Sequence, residues 1–325
     1  MCVMKMNTLG STGLKVSELC FGTLPMGPLQ TNVPLDIGVK MLLEAMEKGV
    51  NFFDTAQMYK TYAYLLKAML KASESYGKNM IIASKSTAPD YKGMDDAINE
   101  ALRGLKRDYI DIFLLHAARA DETVFEKRAG AIEALQKAKK DGRIRFTGIS
   151  THHAGLVAKV AKVPELDVVF PLINKAGMGI LGGGLKEMRD SIEVVNKSGK
   201  GMYAMKALAG GHFVGDMLDA ISYVRAIPGI QSVSVGLVTS EELNLQLRIF
   251  NDEKIDPAIL AGLKAKKQLK IMPLLCSSCG TCIKTCPNGA LSFAVDSKIP
   301  SVDPLKCVLC GYCRPVCPEF AIRLK

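Results

Sequence analysis

Residues 81–116, IIASKSTAPDYKGMDDAINEALRGLKRDYIDIFLLH, decide the fold. Ile81 to Lys85 is a short apolar run of strand character. MDDAINEALRGLKRD then spaces its apolar residues at helical intervals and closes on charge, and Ile110 to His116 is again apolar and strand-like. This is a strand–helix–strand unit, and the same alternation recurs on both sides. Strands are predicted at Leu19 to Gly22, Asn51 to Asp54, Ile144 to Ser150, Val168 to Asn174, Met202 to Leu208 and Val233 to Val238. Helical patterns such as GVKMLLEAMEKG, which stops at Gly49, and AGAIEALQKAKKDG lie between them. Eight strands, each followed by a helix in about 230 residues, fit an α/β fold of the (β/α)8 TIM-barrel kind better than an open sheet.

The remainder of the chain frames that barrel. Residues 3 to 18, with an STG turn at 11 to 13, read as a hairpin ahead of the first strand, and 1–250 as the barrel domain. Residues 251–275 read as a helical linker, opened by Asp256 and Pro257 and ended by Pro273. Residues 276–325 read as a second, small α+β domain, and the cysteines define it. Eight of the ten cysteines lie there in two runs, Cys276, Cys279, Cys282, Cys286 and Cys307, Cys310, Cys313, Cys317, each closed by a proline. The spacing C-x2-C-x2-C-x3-C-P is the ligand pattern of a two-cluster ferredoxin, in which the fourth cysteine of each run serves the other 4Fe-4S cluster. The expected sets are therefore Cys276, Cys279, Cys282 with Cys317, and Cys307, Cys310, Cys313 with Cys286. Structural zinc or disulfides fit less well, because zinc sites usually show ligand pairs.

Composition narrows the function. The formal charge of +10 falls to roughly +6 once two clusters with their thiolates are counted. No tryptophan and no aromatics interleaved with lysines accompany that charge, which argues against a nucleic-acid partner. Lysines 254, 264, 266, 267 and 270 read as a solvated helix face. No run reaches the length of a membrane span, and the N-terminus lacks the apolar stretch of a signal peptide. A cytoplasmic, reducing location with no membrane partner is the expectation.

Barrel chemistry sits at the C-terminal ends of the strands. Asp54, Lys85 and His116 end the second, third and fourth predicted strands, and Tyr59 follows Asp54 in DTAQMY. Together they make a coherent acid: a phenol protonates a developing alkoxide, an ammonium favours its ionised form, a carboxylate holds the ammonium, and an imidazole orients the substrate oxygen. In this order LGSTGLKVSELCFGT, GVNFFDTAQMY, IIASK, DIFLLHA, GRIRFTGIS and MKALAGG resemble the aldo-keto reductases over residues 7 to about 250. With the C-terminal cysteines, the whole chain resembles the iron-sulfur branch of that family. The resemblance implies a catalytic tetrad of Asp54, Tyr59, Lys85 and His116, and NAD(P)H contacts at Ser150, Asn174, Lys206 and Gly236.

Several residues depart from the family pattern. Phe170 stands where a glutamine would hold the nicotinamide carboxamide, and Met205 where an aromatic would stack on its ring. Gly236 and Glu242 stand where Lys and Arg would clamp a 2'-phosphate. A flavin stays open, with no motif to identify it. Gly177, Gly179 and Gly182 spell G-x-G-x-x-G, but no acid ends the next strand, so the segment reads as a βα loop at the catalytic face. His152, His153 and His212 lie near that face, within reach of a substrate. Cys2 and Cys20 read as small apolar side chains, and the sixteen methionines as core filler. The function expected is an oxidoreductase that interconverts a carbonyl and an alcohol on a small-molecule substrate, with its clusters exchanging electrons with an external carrier such as ferredoxin. The alternative is an electron-transfer or interaction subunit whose barrel no longer binds a nicotinamide.

Overall fold

The computed structural model describes residues 4–73, 76–77, 79–118, 120–262, 268–314, 316–319 and 321–324. Strands β1 (Met6–Thr8) and β2 (Lys15–Ser17) form the antiparallel hairpin expected before the barrel. The barrel strands are β3 (Leu19–Gly22), β4 (Phe52–Asp54), β5 (Ile81–Ser86), β6 (Ile110–His116), β7 (Ile144–Thr151), β8 (Val168–Pro171), β9 (Gly201–Ala204) and β10 (Ser232–Gly236). They pair in parallel in sequence order, and β10 closes on β3 with Val233 opposite Leu19. Each is followed by a helix that shields it. The helix Tyr91–Leu105 shows why: the Asp90 carboxylate accepts from Gly93 N at 2.8 Å as its cap, and Met94, Ala97, Ile98, Ala101 and Leu105 form its buried stripe.

The barrel interior is a second apolar cluster. Cys20, Phe52, Ala83, Ile112, Leu114, Val168, Phe170 and Tyr203 fill it, while Leu9, Leu14 and Val16 of the hairpin region pack into the same cluster. The end where β4, β5, β6 and β7 finish carries Asp54, Lys85, His116 and Ser150. Two strands stop three or more residues short of the sequence reading, β8 at Pro171 and β9 at Ala204, with a lone bridge between Leu172 and Met205 beyond them, and β10 ends at Gly236 rather than Val238. Past that bridge the chain leaves the sheet, with Lys206 at φ 63° and Ala209 at φ 46°. Asn174 and Lys206 are therefore loop residues.

The expected helical linker is helical only in part. Pro257–Gly262 is a helix, but Leu269–Ile271 is a strand paired antiparallel with Ile322–Leu324. A pairing partner some fifty residues onward overrides the local helical pattern. A second small ribbon pairs Leu291–Phe293 with Pro300–Val302, and the helix Thr281–Thr285 completes the region. Lys254 and Lys270 are exposed, whereas lysines 264, 266 and 267, like Cys2, lie outside the described residues. No helix among the described residues is long and apolar enough to cross a membrane.

Candidate active site and cysteine centres

Asp54 and Lys85 meet inside the barrel mouth. The Lys85 ammonium donates to both Asp54 carboxylate oxygens and to the Thr55 carbonyl, each at 2.7 Å, which uses its three protons. The Tyr203 hydroxyl donates to Asp54 Oδ1 at 3.0 Å. Burial pushes the Asp54 carboxyl up and the Lys85 ammonium down, and each opposes that shift in the other. With two 2.7 Å contacts and two further partners, the ion pair is the state this geometry holds. Tyr59, from the short turn Gln57–Tyr59, lays its ring 4.9 Å from the Lys85 nitrogen, measured to the ring centroid. Burial, first of all, raises its phenol well above the ordinary value, and neighbouring Tyr312, Asp54 and Cys310 add to it. Tyr59 is a firmly protonated phenol.

His116 Nδ1 lies 3.1 Å from Ser150 Oγ, and its Nε2 lies 2.6 Å from the hydroxyl of Tyr312. Burial, then Lys85, His152 and Arg128, hold this imidazole well below its usual range, so it is neutral. Tyr312 sits between Cys310 and Cys313, in the second cysteine run. The sequence reading missed it, although a signal exists: Tyr312 occupies the position that Thr281 holds in the first run.

Of the four residues expected to contact a cofactor, Lys206 and Gly236 line one cavity and Ser150 and Asn174 do not. Ser150 is committed to His116. The Asn174 side chain closes its own loop, donating to Met178 O at 2.9 Å and accepting from Met178 N at 3.0 Å. Lys206 reaches across to donate to the Val308 carbonyl at 3.0 Å. Lys206 and Gly236 do line one cavity of about 260 Å³, together with Asp54, Tyr59, Phe170, Met205, Glu242, Gln246 and Leu309. Its polar wall sets the Lys206 ammonium alongside the side chains of Glu242 and Gln246. Glu242 accepts from Val238 N at 2.7 Å, and the buried Gln246 Oε1 has no partner among the described residues.

The glycine loop after β8 packs against the second cysteine run. A Cβ on Gly179 would stand 3.0 Å from Val308 Cγ1, and one on Gly210, in the loop after β9, would stand 2.3 Å from the Val308 carbonyl oxygen. His212 Nε2 lies 2.9 Å from the Cys307 carbonyl, and Gln30 Nε2 donates to Leu309 O at 2.8 Å. His153 caps the following helix through Leu156 N. His152 is buried, its pKa lowered to about 3 by burial and Lys206, and its Nδ1 has no partner among the described residues.

The cysteines gather into two groups. Cys276, Cys279, Cys282 and Cys317 line one small cavity. Cys286 stands instead among Cys307, Cys310 and Cys313, close enough to raise the Cys313 thiol. The two runs follow one backbone path. Ser278 (φ 60°) and Leu309 (φ 46°) take the left-handed conformation, followed by Gly280 (69°) and Gly311 (82°). The fourth sulfur of each run accepts the amide four residues on, Cys286 from Ala290 at 3.2 Å and Cys317 from Ala321 at 3.3 Å. Among the described residues no three His, Cys, Asp or Glu side chains converge on a single ion-sized point. Thiols around a void, with amides aimed at sulfur, fit a cluster.

Comparison with known proteins agrees with this architecture. A model of the aldo/keto reductase family matches residues 18–262, and one of a 4Fe-4S dicluster domain matches residues 268–318. L-galactose dehydrogenase of Arabidopsis thaliana is 36% identical over 163 residues, covering 46% of this chain and 49% of that protein. Methylglyoxal reductase DkgA of Escherichia coli O157:H7 is 26% identical over 177 residues, 52% of this chain and 62% of its own length. The aldo-keto reductase AKR11C1 from Bacillus halodurans superposes with a TM-score of 0.63 at 19% identity, covering 81% of this chain and 97% of its own.

Proposed function

This chain belongs to the aldo/keto reductase family, and on that premise we propose that it interconverts a carbonyl and an alcohol at Tyr59 while its two cysteine groups hold 4Fe-4S clusters that exchange electrons with an external carrier such as a ferredoxin. The observation that carries the reading is the buried Lys85–Asp54 pair beneath the Tyr59 ring, at the rim of a cavity that both Asp54 and Tyr59 line. Tyr59 keeps its proton until an alkoxide develops beside it. The Lys85 ammonium then steadies the phenolate left behind, and Asp54 keeps that ammonium charged and in place. Neutral His116 is suited to hold a carbonyl oxygen by one hydrogen bond, with Ser150 setting the ring's orientation. Phe170, Met205 and Leu309 give the cavity apolar walls that keep water from competing.

A nicotinamide, when bound, supplies or takes a hydride, and a cluster moves one electron at a time. The ligand sets we assign are Cys276, Cys279, Cys282 with Cys317, and Cys307, Cys310, Cys313 with Cys286; the cavity ringed by the first four and the grouping of the second support them. The relatives' names supply the probes. Anaerobically purified protein, with about eight irons per chain, is assayed with methylglyoxal and NADH, and with L-galactose and NAD+. Tyr59→Phe is expected to lower turnover by about 10² or more, the usual worth of a positioned acid, with iron content unchanged. Full turnover in that variant would rule out the assignment.

A further inference from the structure

The hydroxyl of Tyr312 lies 2.6 Å from His116 Nε2, and its ring meets the imidazole edge-on at 5.8 Å between centroids. That nitrogen is the one left for a ligand once Nδ1 is taken by Ser150. One ring nitrogen holds one partner along its lone-pair or N–H axis, so a carbonyl oxygen and the Tyr312 hydroxyl cannot both be there. We propose that Tyr312 gates the carbonyl site: while the segment 307–314 is docked on the barrel mouth its hydroxyl holds the place of the substrate oxygen, and substrate binds His116 only when that hydroxyl withdraws. The inference rests on the carbonyl reading of Tyr59 and His116.

Two further observations bear on it. Among the described residues that line the cavity, Asp54, Tyr59 and Leu309 are present and His116 is not. The docked segment thus leaves the acid within reach of the cavity while closing off the oxygen-holding group. The latch is also of a kind that can open. Lys206 Nζ to Val308 O (3.0 Å), His212 Nε2 to Cys307 O (2.9 Å), Gln30 Nε2 to Leu309 O (2.8 Å) and Arg314 Nη1 to Gln30 O (2.8 Å) are side-chain to backbone bonds that water can replace, and opening also uncovers the buried Val308 side chain. Docking and substrate binding become competing events. A carbonyl bound at His116 would push the second cysteine group away from the cavity, and a docked group would face whatever ligand the cavity holds through Leu309.

Two readouts on the intact, cluster-bearing chain test the gate. Diethyl pyrocarbonate carbethoxylates neutral imidazole, and mass spectrometry of the His116 peptide measures its rate without any substrate. In Tyr312→Ala that rate should rise by at least about tenfold over wild type, as expected when one buried hydrogen bond and its ring are removed. For methylglyoxal reduction, KM should fall in both Tyr312→Ala and Tyr312→Phe, with kcat and the cluster absorbance retained. Equal labelling in wild type and Tyr312→Ala overturns the gate, as does a fall in kcat with clusters intact, which would make Tyr312 a participant in proton transfer. If Tyr312→Ala loses its clusters, the KM and kcat of Tyr312→Phe decide. Faster labelling with no turnover on methylglyoxal or L-galactose in any variant would sink the carbonyl reading while leaving the gate standing.

Discussion

Lys85→Met is the most demanding test of the barrel mouth, because the substitution leaves shape nearly unchanged and removes one charge. Lys85 makes its three bonds at 2.7 Å with its side chain 1% exposed, and Asp54 is buried opposite it. Taking away one member of a buried pair strands the other, at a cost of about 3–5 kcal/mol. For a domain of this size each kcal/mol moves the melting point by about 2–4 °C, so the expected fall is about 6–20 °C. The stranded Asp54 escapes by taking a proton, which gives the loss a signature. Its folded pKa in the variant lies above its unfolded one, so the folded state binds the extra proton and stability drops as pH rises. The slope is about 1.4 kcal/mol per pH unit, and the deficit should be about 2.7 kcal/mol smaller at pH 5 than at pH 7. Asp54→Asn added to Lys85→Met removes the charge but keeps an acceptor for Tyr203, and should recover at least half of the loss. Far-UV circular dichroism on heating, under nitrogen and at matched iron content, reads all three proteins. A Lys85→Met loss below about 1 kcal/mol, or one that does not depend on pH, would refute the buried ion pair.

Two more outcomes follow from the cysteine groups and the cavity. Cys317→Ala should deplete the cluster assigned to Cys276, Cys279 and Cys282 and spare the other, read by iron counting and low-temperature electron paramagnetic resonance; loss of the Cys307 group's cluster instead would mean that each run binds its own. NADPH should hold no advantage over NADH in anaerobic calorimetric titration, because Gly236 and the Glu242 carboxylate line the cavity where Lys and Arg would clamp a 2'-phosphate, which then forgoes charge-assisted bonds worth about 1.5–3 kcal/mol each; submicromolar NADPH with a clear preference would overturn that account.

The barrel was legible because parallel strands buried on both faces are predominantly apolar, as in the runs Ile110 to His116 and Ile81 to Lys85. Asp54, Lys85 and His116 stood out for the converse reason: they are ionisable groups at the ends of such runs. Strand ends were less legible. Leu172 and Ile173 are as buried and apolar as the strand before them, yet they belong to the turn past Pro171, and nothing in their chemistry separates the two roles. Leu269–Ile271 looked helical in its local context and became a strand through a partner far along the chain, which no window around it contains. Tyr312 was visible only as an asymmetry between two otherwise matching runs. Its role depends on where the second run lands on the barrel, and that is a docking geometry rather than a pattern.

That docking bears on the residues that the resemblance implies for a cofactor. Lys206 is spent on the Val308 carbonyl and Ser150 on holding His116 towards Tyr312, so positions that the resemblance implies for a cofactor serve the contact between barrel and cysteine runs. The C-terminal region needs such support. Among the described residues its own core cluster is Leu269, Cys282, Leu291, Cys313 and Ile322, a small core for a segment of this length without metal or a surface to lean on. The barrel provides that surface where Gly179 and Gly210 lack side chains, letting Val308 approach to distances a Cβ would forbid. Gly210 takes φ 71°, where any other residue would be strained as well as crowded. The same approach carries Leu309 to the cavity wall and Tyr312 to His116, so what steadies the small domain also decides which groups of the barrel mouth a substrate can reach.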